Sequence, residues 1–248
     1  NFKTINSTTV LLTVTKSAPI ITWSNPGAIT YGTVLSSTQL NATANVPGVF
    51  TYTPAVGTLL NAGANQVLSA DFMPTNAVDY SPVLGTTVMI TVNKTNLTAT
   101  ANNLTKAYGE ANPPLAITYT GFVNGEIPSV LDVLPTAITT ATTSSSVNSY
   151  PIIVSGGQDN NYTINYAAGS LTITKAILTA TADNQSRLLG TPNPILTISY
   201  TGFVTNDGVG DIDIVPTVTT TAITSSPVGV YPIALSGGSD NNYSLNLV

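Results

Sequence analysis

Leu97-Thr-Ala-Thr-Ala101 returns as Leu178-Thr-Ala-Thr-Ala182, and Ser155-Gly-Gly-Gln-Asp-Asn-Asn-Tyr162 returns as Ser236-Gly-Gly-Ser-Asp-Asn-Asn-Tyr243. Both pairs stand 81 residues apart, and so do Tyr119-Thr-Gly-Phe-Val123 and Tyr200-Thr-Gly-Phe-Val204, and Tyr150-Pro-Ile152 and Tyr231-Pro-Ile233. Over residues 97–167 and 178–248, 37 of 71 positions are identical without an insertion. Repetition of that length at a fixed period marks an array of equivalent structural units. A weaker copy precedes them. Ile29-Thr-Tyr-Gly32 sits where Ala107-Tyr-Gly109 does, and Asp79-Tyr80 where Asn161-Tyr162 does. Its last segment, Thr86-Thr-Val-Met-Ile-Thr-Val-Asn-Lys94, parallels Ser170-Leu-Thr-Ile-Thr-Lys175. It also matches Thr8-Thr-Val-Leu-Leu-Thr-Val-Thr-Lys16, 78 residues upstream.

The local pattern inside each copy is alternation of Thr with an apolar residue. Period two, rich in β-branched residues, is the signature of a strand with one face inward. Val46-Pro-Gly48, Asn112-Pro-Pro114, Gly156-Gly157, Asn193-Pro194 and Gly237-Gly238 supply the turns. No twelve-residue segment carries a helical stripe; residues 125–131 allow one or two turns at most. The expected fold class is all-β, in tandem small β-sandwich (Ig-like) modules.

Composition narrows the function classes. Only 7% of the 248 residues are charged, while 42 Thr and 21 Ser make up a quarter of the chain. Six basic residues and a net charge of −5 cannot form the cationic footprint that nucleic acid requires. There is no Cys and no His, which excludes a thiolate nucleophile, a disulfide framework, a histidine base and His- or Cys-ligated metal. No 18-residue apolar run suggests membrane insertion.

The motifs of residues 97–175 and 178–248 resemble the MBG-type (YGX) repeat of bacterial surface proteins. They share its L-T-x-T-A, Y-G, Y-x-G-F, Y-P-I, S-G-G, N-Y and L-T-I-T-K elements. The second copy departs from it at Leu189-Gly190, where Tyr-Gly is usual, and in lacking a closing strand. Residues 20–94 look like bacterial Ig-like repeats of secreted adhesins, through Ile29-Thr-Tyr-Gly32, Leu59-Leu-Asn-Ala-Gly63 and Phe72-Met-Pro74 with Tyr80 beyond. The resemblance implies an extracellular, cell-surface location, and for the two later modules leaves a β-grasp-like topology as the alternative.

Four segments follow: residues 1–16, the closing strand of a preceding module or a donor strand; 17–94, an Ig-like module; 95–175 and 176–248, MBG-type modules, the last without its closing strand. Three tyrosines, Tyr80, Tyr162 and Tyr243, occupy one repeated position, where a buried ring with a backbone-bonded hydroxyl is expected. Val10, Leu12 and Val14 would be the inward face of the donated strand, pairing with a module other than residues 17–94.

Each candidate for chemistry has a plainer reading beside it. Asp159-Asn-Asn161 and Asp240-Asn-Asn242 carry oxygen ligands suited to Ca²⁺ or sugar, but also suit a turn with Asn in the left-handed region. The densest acidic spacing, Asp207, Asp211 and Asp213, is the calcium candidate. Its counterparts Glu126, Val130 and Asp132 do not repeat it. Trp23, with Tyr31 nearby in sequence, reads as core more readily than as a sugar platform. Lys94 and Lys175 end their modules as linker residues; an isopeptide bond would need a buried acid and Asn beside them. The Asn-x-Ser/Thr sequons, among them Asn6, Asn96, Asn161 and Asn242, are expected by chance at this composition. Glu110 and Glu126 are replaced by Thr191 and Asp207 in the sister copy, so a paired-carboxylate hydrolase is not expected. The expectation is a non-enzymatic stalk or fibre segment without cofactor. It would space an adhesive tip from the cell over ~100 Å for three modules with strands rising ~3.3 Å per residue. Its partners would be neighbouring repeats or copies of itself, head to tail. An adhesin segment that binds glycan or a host protein is the alternative.

Overall fold

The computed structural model describes residues 9–204 and 206–248. It is all-β: eighteen strands and two three-residue 3-10 turns, Pro128–Val130 and Val209–Asp211, are the regular elements among the described residues. Two compact units are formed. The first comprises Asn1–Leu97, Gly121–Val133 and Gln158–Ile164, and the second Thr98–Thr120, Leu134–Gly157 and Asn165–Val248. The division runs through the second repeat, because two of its loops pack with the first.

In the first unit, Val83–Asn93 and Gly63–Pro74 pair as the long antiparallel centre of a four-stranded sheet. Gly48–Thr53 flanks it antiparallel, and Ile29–Thr30 adds to Val83–Asn93 in parallel. Alternation decides which side chains go inside. Val88, Ile90 and Val92 are buried while the residues between them face outward. Val88 and Ile90 meet Leu35, Leu40 and Leu68, with Trp23, Ile29, Tyr52 and Leu60 packed around that core. Each fully buried aliphatic side chain contributes roughly 1.5–3 kcal/mol of burial free energy.

The second repeat supplies a four-stranded sheet in the order Thr136–Thr139, Ser149–Ser155, Gly169–Thr174, Leu104–Ala107. The closing strand Gly169–Thr174 lies between two neighbours, antiparallel to Ser149–Ser155 and parallel to Leu104–Ala107. Leu171 and Ile173 on that strand are buried to 0% and 1% exposure. Gly169 is required there, since a Cβ would lie 2.4 Å from the Ala101 carbonyl oxygen. In the third repeat, Ala176–Ala182 is central between Ile198–Thr201 and Tyr243–Leu247. The second sheet of that repeat has two strands, Thr217–Thr220 and Ile233–Ser236, where the second repeat has four.

Residues 9–16 join no sheet, and Val10, Leu12 and Val14 are 90%, 92% and 87% exposed. Thr8 and the residues before it lie outside the described residues.

Candidate functional site

The Tyr-Gly motif ends a short extended segment and turns its ring toward the next repeat. In the first unit, Tyr31 follows strand Ile29–Thr30, and its N–H is held by the Asn93 carbonyl at 2.8 Å. Its hydroxyl donates to Glu126 Oε1 at 2.6 Å, and the Tyr162 hydroxyl donates to Glu126 Oε2. The Val123 N–H in turn donates to the Tyr162 oxygen at 3.0 Å. The rings of Tyr31 and Tyr162 meet edge to face at 5.5 Å, and Phe122 packs on Tyr162 at 5.4 Å. Such aromatic pairs add roughly 0.5–1.5 kcal/mol beyond their buried area.

The second unit repeats the arrangement. Tyr108 donates to Asp207 Oδ2 at 2.9 Å and Tyr243 donates to the same oxygen at 2.8 Å. The Val204 N–H donates to the Tyr243 hydroxyl at 3.0 Å, and the Tyr108 and Tyr243 rings cross edge to face at 5.5 Å. The tyrosine of one repeat thus shares a carboxylate with the tyrosine of the next. Tyr162 and Tyr243 are each 2% exposed, as their shared sequence position implies, while Tyr80 is half-buried.

Glycine sets the approach. Gly32 and Gly109 have φ of 98° and 83°, and a Cβ on either would overlap Val123 or Val204 at 2.9 and 2.3 Å. Gly190 has the same φ, 83°, but faces open space, and Leu189 before it is exposed.

Burial and the acidic partner hold the phenols neutral. Tyr31 is pushed up to about 12, first by its hydrogen bond to Glu126 and then by burial. Tyr162 and Tyr243 also rise to about 12, burial coming first, with the bonds to Glu126 and Asp207 raising them further.

A second device recurs three times. Lys16, Lys94 and Lys175 donate Nζ to the carbonyls of Ala77, Asp159 and Asp240 at 2.6, 2.7 and 2.6 Å. Each acceptor stands three residues before Tyr80, Tyr162 or Tyr243. The residue after each lysine then donates its N–H to the carbonyl just before that tyrosine: Ser17 to Asp79, Thr95 to Asn161, Ala176 to Asn242. Lys94 and Lys175 are therefore hydrogen-bonded joints rather than free linker cations.

The Asp-Asn-Asn loops are turns, but the left-handed asparagine expected there is absent. Among the described residues only Asn65 and Asn124 have positive φ outside glycine. Asp159 Oδ1 instead accepts the N–H groups of Asn161 and Tyr162, and Asp240 Oδ1 those of Asn242 and Tyr243, so the side chain closes the turn. The Asn161 and Asn242 side chains accept from the N–H of Ala62 and Val147, one in each unit.

Asp207, Asp211 and Asp213 are not brought together. Asp207 serves the tyrosines, Asp211 accepts from the Gly208 N–H, and Asp213 accepts from the Asn241 N–H. Among the described residues no cluster of three or more acids is placed to hold a metal. Glu110 closes its own turn onto the Ala107 N–H. Trp23 is half-buried in the first core, donating Nε1 to the Gln39 carbonyl and lying edge-on to Tyr52. Tyr31 belongs to the tyrosine–glutamate cluster. The paired acid was missed in the sequence, although Glu126 and Asp207 share one aligned position. The signal was an acid in both copies three residues after Gly-Phe-Val.

This geometry defines an all-β repeat protein whose repeats are keyed together by Tyr-Gly. The MBG domain (YGX type) family matches residues 97–172 and 178–248, and the chain belongs to that family. Its domains occur in bacterial surface proteins. No curated protein sequence matches the chain. Among the described residues no helix is long and apolar enough to cross a membrane.

Proposed function

We propose that the chain is a non-catalytic spacing segment of an extracellular bacterial surface protein, with residues 17–94 serving as an Ig-like module ahead of the two MBG domains. The observation that carries this reading is the repeated tyrosine–carboxylate–tyrosine latch. Its tyrosines and acids are spent on each other, so its chemistry is consumed in joining repeats. Such a joint resists bending, because displacing one repeat would strand a half-buried carboxylate and two phenols without partners. A segment whose joints are stiff holds whatever it carries at a distance from the cell.

A double-mutant cycle tests the joint. Tyr108→Phe and Asp207→Asn are each expected to cost about 1.5–3 kcal/mol, as loss of a hydrogen bond to a charged group does. The pair together should cost less than the sum, with amide exchange rising at the start of strand Ala176–Ala182. Additive, small effects would remove the latch from the argument. A glycan array decides the role: a spacing segment gives no signal, whereas selective binding of a defined glycan would favour an adhesin segment.

A further inference from the structure

Asn124-Gly125 is the only Asn-Gly dipeptide in the 248 residues, and it forms the centre of a tight turn. The Glu126 N–H donates to the Val123 carbonyl at 3.0 Å, and Asn124 and Gly125 have φ of 54° and 75°. Positive φ at both central positions defines the turn type that favours Asn-Gly. The two ends of this turn carry the first latch. The Val123 N–H donates to the Tyr162 hydroxyl, and the Glu126 carboxylate accepts from Tyr31 and Tyr162. The middle of the turn is unheld. Asn124 and Gly125 are exposed, and a Cβ on Gly125 would meet nothing within 4 Å. Among the described residues, neither the Asn124 amide nor the Gly125 N–H has a hydrogen-bond partner.

We propose that Asn124 is a site of spontaneous covalent modification, through a cyclic imide with Gly125, that slackens the first latch as the protein ages. The Gly125 nitrogen attacks the side-chain carbonyl carbon of Asn124. That C–N bond forms, the bond to the amide NH2 breaks, and ammonia leaves with the proton of the Gly125 N–H. Asparagine is among the thermolabile residues, and glycine, having no Cβ, does not shield the attacked carbon. Water then opens the imide at one of its two carbonyls. Opening at the side-chain carbonyl leaves aspartate. Opening at the main-chain carbonyl leaves isoaspartate, which puts one extra carbon into the backbone between Val123 and Glu126. The turn then no longer sets both of its ends against Tyr162, and either product adds a negative charge two residues from the latch acid.

The second unit supplies the contrast. Its aligned residues are Thr205 and Asn206, and there the latch acid itself precedes a glycine, as Asp207-Gly208. Asp-Gly closes to the same imide by loss of water, but here both reacting groups are occupied. Asp207 Oδ2 accepts from Tyr108 and Tyr243, and the Gly208 N–H donates to Asp211 Oδ2 at 2.8 Å. A carboxylate is also a poorer electrophile than an amide. The fold therefore guards Asp207 and leaves Asn124 open.

The site itself stands on exposure and chemistry; its effect on the joint rests on the latch proposed above. Incubation of the full chain in mildly alkaline buffer separates the two, read by peptide mapping with isoaspartate detection and by the urea unfolding midpoint. The same chain held in urea serves as the unprotected reference. In the folded chain the peptide containing Asn124 is expected to exchange NH2 for OH in mass, mostly as isoaspartate, while Asp207 stays unchanged. The unfolding midpoint should shift downward in step with that conversion. Asn124→Gly, which tolerates the positive φ, should keep its midpoint over the same period. Asp211→Ala, which releases the Gly208 N–H, should let isoaspartate appear at position 207. A folded chain that keeps Asn124 intact while the reference is converted would overturn the site, as would isoaspartate at 207 ahead of 124 in the unaltered chain. Conversion at 124 with an unmoved midpoint would overturn its effect on the latch.

Discussion

Tyr108 and Asp207, ninety-nine residues apart in sequence, share a hydrogen bond of 2.9 Å, and Tyr243 donates to the same carboxylate oxygen. The equivalent pair in the first unit is Tyr31 and Glu126. The acid needs two neutral phenols at once, and this makes the fold sensitive to alkali.

Tyr31, Tyr162 and Tyr243 ionise at about 12 in the folded chain, against about 10 for a free tyrosine. The unfolded chain thus gives up these protons first, so it binds fewer protons than the folded chain between pH 10 and 12, and stability falls as pH rises through that window. Below pH 10 the contribution is fully present. The melting temperature should be level with respect to these groups up to about pH 10 and then drop steeply. Tyrosinate absorbance should show a late fraction titrating near 12. A melting temperature unchanged to pH 12 would show that the phenols are not held neutral by the latch.

Gly109 and Gly190 share the same φ of 83°, so alanine at either one costs about 1–2 kcal/mol in left-handed backbone. Only Gly109→Ala also drives a Cβ into Val204, adding about 1–3 kcal/mol of overpacking. Chemical denaturation should therefore find Gly109→Ala clearly the more damaging of the two. Equal losses would mean that the close approach at the Tyr-Gly motif contributes nothing.

The hydroxyl of Tyr200 is buried with no hydrogen-bond partner among the described residues, and burial raises its pKa. Removing an unsatisfied polar atom while keeping the ring is neutral or favourable. Tyr200→Phe is expected to change stability by between zero and about +1 kcal/mol, with the ring still against Phe203. A loss of more than about 1 kcal/mol in urea unfolding would reveal a partner for that oxygen.

The strands were legible because alternation is a local property. Leu97-Thr-Ala-Thr100 and Leu178-Thr-Ala-Thr181 each bury the Leu and the Ala and leave the Thr less buried, and the 81-residue offset required the two copies to do so alike. The buried Tyr162 and Tyr243 followed from the same offset. What joins the repeats could not be read in this way. Glu126 and Asp207 look like scattered surface acids until the chain brings Tyr31 and Tyr108 over them. Asp159 and Asp240 look like ligands until their oxygens are found closing their own turns. Sequence by itself determined which residues face inward, since period two and β-branching act within a strand. Tertiary structure alone decided which polar side chains meet across repeats, because those contacts span 95 to 99 residues and depend on how two separately folded surfaces fit.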